Sequence, residues 1–285
     1  MLSYQHAYHA GNFADVHKHV ALYTLLQSLH RKDSAITLVD THAGRGVYEL
    51  ADKASQKNGE YRNGVVPLWE QRDAIAADSP LGEWIGRLAT LQGGATLRRY
   101  PGSPWWFADL QRKQDQLSLF ELHPAEHQAL EADALSAPGK RQQRLHADGL
   151  EGLRKMLPVD TPRLCVLIDP SYEVKTEYKE VGKALRHIVR KARHAVVVIW
   201  YPLLAARRHE RLLDSLRQSG IPKLWNSELR LGQDADEHGM YGSGLVVLNP
   251  PWQLDQRLNE TFKTVAKRLG GGASHRSGWL TGEAP

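Results

Sequence analysis

The chain of 285 residues contains one cysteine and lacks any long hydrophobic run. The single thiol of Cys165 excludes a disulfide framework and a cysteine-ligated metal cluster, which favours a reducing compartment. No stretch approaches the roughly 18 apolar residues of a membrane-spanning helix, and residues 1–19 lack the apolar centre of a signal peptide. We therefore expect a cytoplasmic protein that makes no membrane contact.

The sequence also has little excess of positive over negative charge. The 37 Lys and Arg residues outnumber the 32 Asp and Glu residues to give a formal net charge of +5, which only weakly indicates a polyanionic partner. Hydrophobic residues make up 41% of the chain and charged residues 24%, which excludes a disordered chain. Since no internal repeat or long linker is present, residues 1–285 are predicted to form a single domain, and we expect a monomer.

Short apolar runs alternate with helical patterns along most of the chain. This alternation predicts an α/β fold with a doubly wound, Rossmann-like sheet and helices on both faces. The last two runs are separated by only about a dozen residues with no helical pattern, so we expect this strand pair to be antiparallel. The runs comprise residues 35–39, 117–121, 144–146, 163–168, 195–201, 223–231 and 244–248.

Two segments depart from this alternation. Residues 48–95 have no strand character but carry helical patterns, so they are predicted to form a small inserted helical subdomain. Residues 270–285 begin with three glycines and are predicted to be a flexible tail.

The first helix is predicted to begin after Asn12, a suitable N-cap, and to run to about Arg31. Its apolar residues follow helical spacing, whereas His17 and Lys18 fall off that stripe. Because His17 and His19 lie about 200° apart on such a helix, they are poorly placed to share a metal ion. We therefore expect no metal site, although four histidines lie close together in residues 6–19.

Acidic residues follow four of the predicted parallel strands. In an open α/β sheet, ligands bind beyond the carboxyl ends of the strands, where Asp40, Glu121, Asp148 and Asp169 are expected. The turn Gly44-x-Gly46 has Glu49 in place of the third glycine of a dinucleotide fingerprint, which disfavours an NAD site. A ligand without a pyrophosphate removes the need for that glycine.

Carboxylates in this arrangement match a nucleoside cofactor. Glu121 can accept hydrogen bonds from both ribose hydroxyls, and Asp148 is placed to contact an adenine edge. This pattern, with Gly44 in the turn, indicates S-adenosylmethionine.

The loop Asp169-Pro170-Ser171-Tyr172 indicates methyl transfer to an exocyclic amine. The lone pair of such an amine is delocalised into its ring, so a carboxylate and a neighbouring carbonyl must accept its N–H bonds and pull it toward tetrahedral geometry. Asp169 supplies the carboxylate, Pro170 the carbonyl, and Tyr172 an aromatic face for the base. The amino-methyltransferase motif has proline at the third position, so Ser171 departs from it and restores a backbone N–H.

The segment Asn249-Pro250-Pro251-Trp252 fits that motif at all four positions. It follows the last predicted strand, which we expect to run antiparallel, so its end should point away from the cofactor. A motif match counts only in the right structural context, and we assign the catalytic loop to Asp169 instead.

Several segments together make the chain resemble the bacterial 23S ribosomal RNA adenine-N6-methyltransferases of the RlmJ type. The resemblance covers nearly the whole chain, and its N-terminal part is the most specific. It rests on residues 2–19 (LSYQHAYHAGNFADVHKH), 40–44 (DTHAG), 100–104 (YPGSP), 121–124 (ELHP), 148–149 (DG), 169–170 (DP) and 249–252 (NPPW).

The resemblance implies a site and a substrate. Methylation is expected at adenine 2030 of 23S ribosomal RNA, naked or in an assembly intermediate, with the inserted subdomain flanking the substrate face. Asp169 would accept hydrogen bonds from the target amine, while Tyr4 and Lys18 would contact the RNA. The residues expected to line the S-adenosylmethionine site are His19, His42, Ser103, Glu121, Asp148, Gly149 and Asp169.

Other interpretations remain open on the sequence. One is an amino-methyltransferase acting on DNA or on a protein glutamine, and another is a non-catalytic RNA-binding protein on a methyltransferase fold. Trp200 and Tyr201 end a strand-like run and are candidates for lining the pocket. Basic residues crowd residues 186–193, where they are candidates for phosphate contacts.

Overall fold

The computed structural model describes residues 5–135, 138–232 and 239–282. Its ten strands are β1 (Ile36–Asp40), β2 (Val47–Glu49), β3 (Arg99–Pro101), β4 (Gln116–Glu121), β5 (Arg141–His146), β6 (Arg163–Ile168), β7 (Val196–Leu204), β8 (Leu224–Arg230), β9 (Met240–Leu248) and β10 (Ser274–Thr281). The ten α-helices of these ranges are α1 (Phe13–Leu29), α2 (Lys53–Asn58), α3 (Val65–Glu70), α4 (Pro80–Gln92), α5 (Ser103–Leu110), α6 (Pro124–Ala132), α7 (Gly149–Met156), α8 (Glu177–Lys191), α9 (His209–Arg217) and α10 (Leu254–Leu269).

Eight strands form one sheet in the order β10-β8-β9-β7-β6-β1-β4-β5. The five strands from β7 to β5 are parallel, and β9 runs antiparallel to both β7 and β8. Each pair of parallel neighbours is joined through helical crossovers, as parallel pairing requires. The predicted α/β class and the antiparallel last pair are confirmed.

Apolar layers cover both faces of the sheet. One layer contains α1, α4, α5 and α10, with Trp84, Trp106 and Phe262 fully buried. The opposite layer contains α7, α8 and α9, with Val181 and Leu185 fully buried. Because β1 lies between the two layers, all five of its residues are buried.

Helix α1 is covered on every side. The Asn12 side chain accepts a hydrogen bond from the Asp15 N–H at 2.9 Å and so caps the helix as predicted. His17 and Lys18, which fall off the apolar stripe, are buried as well. The reason is that α1 packs against the sheet as well as against α4, α5 and α10. No face of the helix is left for solvent, so its charged groups need partners inside the protein.

The segment expected to be a helical insertion contains α2, α3 and α4. The prediction that residues 48–95 lack strand character is wrong at its start, because residues 48–49 belong to β2, which pairs antiparallel with β3 just beyond the end of the segment. Leu68 of α3 and Trp84 of α4 are fully buried and belong to the same apolar layer as α1. The segment therefore shares its core with the main sheet.

The prediction of a flexible tail is wrong for residues 274–281. These residues form β10, which pairs antiparallel with β8 along its whole length. Gly270, Gly271 and Gly272 all have positive φ and turn the chain from α10 back onto the sheet. The glycine run is a turn, and residues 283–285 of the predicted tail lie outside the described residues. None of the helices in the described ranges is long and apolar enough to cross a membrane.

Candidate active site

The parallel strands bring three acidic side chains to one edge of the sheet. Asp40 ends β1, Glu121 ends β4, and Asp169 directly follows β6. Since β4, β1 and β6 are neighbours with parallel register, these residues lie side by side at the carboxyl edge. Asp148 follows β5, the next strand on the β4 side. We call this the cofactor edge.

The turn after β1 orients Glu121. The N–H of Gly44, which has φ +62°, donates a hydrogen bond to Glu121 Oε2 at 2.7 Å. The N–H of His123 donates to Oε1 at 2.6 Å. Both carboxylate oxygens are therefore fixed by backbone groups, and each keeps a lone pair for a hydroxyl donor.

Asp148 and Gly149 begin α7 at the same edge. Asp148 is exposed, and its side chain caps the helix by accepting a hydrogen bond from the Glu151 N–H at 2.9 Å. A Cβ on Gly149 would lie 1.9 Å from the carbonyl oxygen of Thr41. Only glycine lets the start of α7 approach the β1 turn this closely.

Asp40 is a buried carboxyl group with an incomplete set of hydrogen bonds. Its Oδ1 accepts from the His42 N–H at 3.3 Å, but Oδ2 has no hydrogen-bond partner among the described residues. Burial raises the pKa of Asp40 to about 7, although the nearby Ser103 side chain opposes the shift. Burial also lowers the pKa of His42 to about 4, so that imidazole is neutral at neutral pH.

These residues fit S-adenosylmethionine. An unpartnered carboxylate oxygen on Asp40 suits the cationic methionine end of the cofactor, and the fixed carboxylate of Glu121 suits its ribose hydroxyls. Asp148 is exposed and lies near enough to His42 for its negative charge to oppose the lowering of the His42 pKa by burial. Sequence analysis placed Asp40 at this edge but assigned it no role. The signal that could have indicated one is its position at the end of a strand that is apolar on both faces.

A chain of charged groups connects the N-terminal segment to Asp169. The Nζ of Lys18 donates a hydrogen bond to Asp169 Oδ2 and lies 3.1 Å from Asp15 Oδ1. Asp15 Oδ2 in turn contacts His6 Nε2 at 2.9 Å and accepts from the Gly11 N–H at 2.9 Å. Sequence analysis missed the roles of His6 and Asp15, although the spacing of Asp15 and Lys18 on one helix was a signal.

Burial and neighbouring charges shift the pKa values of these charged groups in opposite directions. Burial disfavours the charged form of Lys18, yet Asp169 and Asp15 hold the pKa of its ammonium above the usual value. Burial raises the pKa of Asp169 against the pull of Lys18, while Asp15 has its pKa held well below the usual range by His6 and Lys18 despite burial. Lys18 therefore enters the site as a permanent cation.

Two aromatic side chains lie near this ion pair: Tyr172 of the loop after β6 and Trp200 of β7. Tyr172 has a left-handed backbone with φ +56°, and its hydroxyl donates to the carbonyl oxygen of Trp200 at 2.7 Å. The Tyr172 ring is 4% exposed and packs on Tyr178 with centroids 4.3 Å apart. The ring of Trp200 is only half-buried and lies 5.9 Å from the Lys18 Nζ.

A buried polar network fixes Trp200. Its Nε1–H donates to Ser243 Oγ at 2.9 Å, and Ser243 Oγ contacts His17 Nδ1 at 2.9 Å. His17 Nε2 contacts Ser227 Oγ at 3.0 Å, which contacts His275 Nε2 at 2.8 Å. Burial lowers the pKa of His17 well below its usual value, so this network is built from neutral groups. The residues come from α1, β7, β8, β9 and β10.

The structure does not bring every predicted site residue to the cofactor edge. His19 is fully buried, with Nδ1 2.9 Å from the Tyr100 hydroxyl and Nε2 without a partner among the described residues. Lys18 is buried in its ion pairs rather than exposed for RNA. Ser103 is buried at the first turn of α5, close to Asp40. Tyr4 lies outside the described residues.

The second motif match lies at the opposite edge of the sheet. Because β9 is antiparallel to β7, Asn249 follows β9 next to the start of β7. The Asn249 Nδ2 donates to the carbonyl oxygens of Arg193 and Ala195, both at 2.9 Å. The assignment of the catalytic loop to Asp169 rather than to Asn249 agrees with this topology.

Metal and thiol chemistry find no support in the described residues. No group of three or more His, Cys, Asp or Glu side chains in these ranges is arranged to hold a metal ion. Cys165 is buried in β6, where burial raises the pKa of its thiol to about 12 and keeps it unreactive.

A parallel sheet with carboxylates at the ends of β1 and β4, and with an Asp-Pro loop directly after β6, is the arrangement of an S-adenosylmethionine-dependent methyltransferase. The chain belongs to the family described as ribosomal RNA large subunit methyltransferase D, RlmJ, whose model matches residues 33–281.

Similar proteins cover the whole chain. The ribosomal RNA large subunit methyltransferase J of Escherichia coli (strain K12) is 35% identical, with 99% of this chain and 100% of that protein covered. The protein of that name from Haemophilus influenzae (strain Rd) is 36% identical over the same shares. A crystal structure of a Legionella pneumophila protein matches with a TM-score of 0.88 and 34% identity, covering 95% of this chain and 98% of that one.

Proposed function

We propose that this protein transfers a methyl group from S-adenosylmethionine to N6 of an adenine in 23S ribosomal RNA. The observation that carries the proposal is the position of Asp169 and Pro170 at the end of β6, beside the cofactor carboxylates of β1 and β4. Membership of a large-subunit ribosomal RNA methyltransferase family supports the substrate. We expect the protein to act in the cytoplasm, as a monomer, on naked RNA or on an assembly intermediate.

S-adenosylmethionine would supply a methyl group on a positively charged sulfur. On the protein side, Asp40 would hold the cationic methionine end, Glu121 the ribose and Asp148 the adenine, while Gly44 and Gly149 let the backbone come close. These contacts would restrain the cofactor in one orientation beside Asp169. His42 and Ser103 complete the proposed cofactor set, and His19, which is buried against Tyr100, is left out of it.

Asp169 and Pro170 act on the target amine. Lys18 binds Asp169 Oδ2, so we assign Oδ1 to an N–H of the adenine amine and the Pro170 carbonyl to the second N–H. Accepting both hydrogen bonds localises the nitrogen lone pair and directs it toward the methyl group. After transfer, a proton leaves the amine toward the Asp169 carboxylate.

The aromatic side chains provide the base pocket. An adenine inside an RNA stack cannot reach Asp169, so the base must be splayed out and held by stacking. Trp200 presents a half-buried ring beside Lys18. The Tyr172 hydroxyl donates a hydrogen bond to the Trp200 carbonyl and so holds the backbone that carries this ring. Tyr4 is proposed to contact the RNA, whereas Lys18, which is buried in its ion pairs, acts on the base through Asp169.

Product mapping tests the proposal. The full-length protein is incubated with methyl-labelled cofactor and deproteinised 23S RNA, and the RNA is digested and analysed by mass spectrometry. We expect N6-methyladenine at one position, with no label in duplex DNA incubated in parallel. Label in DNA alone, or in another nucleotide of the RNA, would contradict it.

A further inference from the structure

The edge of the sheet opposite Asp169 carries an exposed tryptophan. Trp252, in the turn between β9 and α10, is 79% exposed, more than any other large hydrophobic side chain of the described ranges. Since β6 has six residues, this edge lies about 20 Å from the cofactor edge. Trp252 therefore takes no part in the methyl-transfer site.

The backbone around Trp252 is held firmly. Asn249 donates side-chain hydrogen bonds to the carbonyls of Arg193 and Ala195, and its N–H donates to the Lys223 carbonyl at 3.0 Å. Lys223, Asn249 and Gln253 all adopt left-handed φ values of +56°, +50° and +59°. Non-glycine residues rarely adopt this conformation, and the surrounding structure must impose it. The indole is thus presented to solvent from a fixed turn.

Cations from two chain segments that are hydrogen-bonded to Asn249 lie near this turn. Arg190, Lys191, Arg193 and Lys223 are all exposed, and no described carboxylate forms an ion pair with any of them. Other cations of this part of the chain pair with a carboxylate three positions away: Arg154 with Glu151, Lys183 with Glu180, Arg207 with Glu210 and Arg217 with Asp214. The four cations near the Trp252 turn have no such partner within the described ranges. We call Trp252 and these four cations the distal basic surface.

A groove connects the distal basic surface to the cofactor edge. This groove, about 820 Å³ in volume, lies between α7 and α8 and extends from Asp148 to Pro222, the neighbour of Lys223. Arg186, His187 and Arg190 of α8 line it. Of the three acidic side chains in its wall, Glu151 and Glu180 each pair with a cation of their own helix, and Asp148 lies at the end of the groove next to the cofactor edge. A polyanion can follow this groove from one edge to the other.

We propose that the distal basic surface binds the RNA substrate at a segment away from the methylated adenine, with Trp252 stacking on an unpaired base. Exposed aromatic rings flanked by arginine and lysine are suited to single-stranded RNA, because the ring stacks on a base and the cations bind phosphates. An exposed indole with four cations on neighbouring segments that no described carboxylate pairs with favours a polyanion over an apolar protein surface. The inference rests on the proposed RNA substrate.

Binding measurements with the full chain test this surface. Trp252→Ala is expected to weaken the affinity for deproteinised 23S RNA about fivefold or more, and Trp252→Phe to restore most of it. The double variant Arg193→Gln/Lys223→Gln is expected to reduce the slope of log affinity against log salt by about 1.4 to 1.8. The matched control, Lys263→Gln/Lys267→Gln on exposed positions of α10, loses the same charge and should leave the slope unchanged.

Turnover measurements separate this inference from the proposed function. In the Trp252 variants, kcat at saturating RNA and KM for the cofactor should match the parent protein, while KM for RNA rises. Unchanged RNA affinity in Trp252→Ala, or equal slope changes in the α10 control, would overturn the inference. So would loss of binding to a ribosomal assembly particle without loss of RNA affinity, which would indicate a protein partner. RNA that binds through Trp252 but gains no N6-methyladenine would refute the proposed function alone.

Discussion

The buried ammonium of Lys18 forms an ion pair with the carboxylate of Asp169, across 151 positions of sequence. The pair joins α1 to the end of β6, and Asp15 lies on the other side of the same ammonium at 3.1 Å. One cation thus forms ion pairs with two buried carboxylates. The electrostatics of the loop that begins at Asp169 therefore depend on the N-terminal helix.

Lys18→Met is expected to destabilise the protein. Removing the ammonium leaves Asp15 and Asp169 buried without their shared partner, which should lower the free energy of unfolding by about 3 kcal/mol at neutral pH. Asp169→Asn should cost less, because Asp15 still pairs with Lys18. Urea unfolding of both variants measures the difference, and equal losses would contradict the shared-cation arrangement.

The pKa of Asp40 predicts a pH dependence of stability. Burial raises this pKa to about 7, whereas an unfolded carboxyl group titrates near about 4. Between these values the folded protein holds a proton that the unfolded chain has lost, so the free energy of unfolding falls as pH rises. The contribution is at most about 1.4 kcal/mol per pH unit.

Asp40→Asn should remove this contribution. Denaturant unfolding from about pH 4.5 to 7 is expected to give a variant whose stability gains on the parent as pH rises. Parallel stability curves for parent and variant would show that Asp40 is already ionised in the folded state.

Gly149→Ala is expected to disrupt the cofactor edge. Its Cβ would lie 1.9 Å from the Thr41 carbonyl oxygen, so α7 must shift, and we expect about 1–3 kcal/mol of destabilisation and weaker cofactor binding. Gly86→Ala in α4 is the matched control, since a Cβ there meets nothing within 4 Å and should stabilise the helix by about 0.5–1 kcal/mol. Calorimetry of both variants would contradict the account if Gly149→Ala bound the cofactor normally.

Ser243→Ala tests the network that holds Trp200. The change leaves the Trp200 N–H and a His17 nitrogen without their partner, which should cost about 1–3 kcal/mol and raise KM for RNA more than KM for the cofactor. The control is Ser277→Ala, whose hydroxyl makes an exposed hydrogen bond to Asn259. If RNA kinetics were unchanged in Ser243→Ala, Trp200 would not need this support.

The sequence was sufficient where local pattern decides structure. Apolar runs followed by Asp40, Glu121 and Asp169 predicted the parallel strands and their common edge, because parallel strands joined by helices must end together. The same reasoning separated Asn249 from the catalytic loop. Local pattern predicted which side chains follow the strands, but it did not predict which groups those side chains contact.

Long-range packing accounts for what the sequence could not predict. Helical spacing predicts that only the apolar face of α1 is buried. In the structure, the sheet, α4, α5 and α10 all pack around α1, and His17 and Lys18 are buried as well. The contact between His17 and Ser243 spans 226 positions and leaves no local pattern. Three consecutive glycines are typical of a linker, which led to the prediction of a flexible tail. Residues 274–281 are a strand because they pair with β8, and this contact leaves no local pattern in the sequence.

The most direct test of the central claim is methyl transfer by Asp169→Ala to deproteinised 23S RNA under single-turnover conditions. Cofactor affinity and RNA affinity are measured on the same preparation, and Asp169→Asn is included because its amide oxygen keeps one acceptor. We predict that Asp169→Ala binds both ligands, forms no detectable N6-methyladenine, and that Asp169→Asn retains a small residual rate. Near-parental transfer by Asp169→Ala would contradict the assignment of the active site.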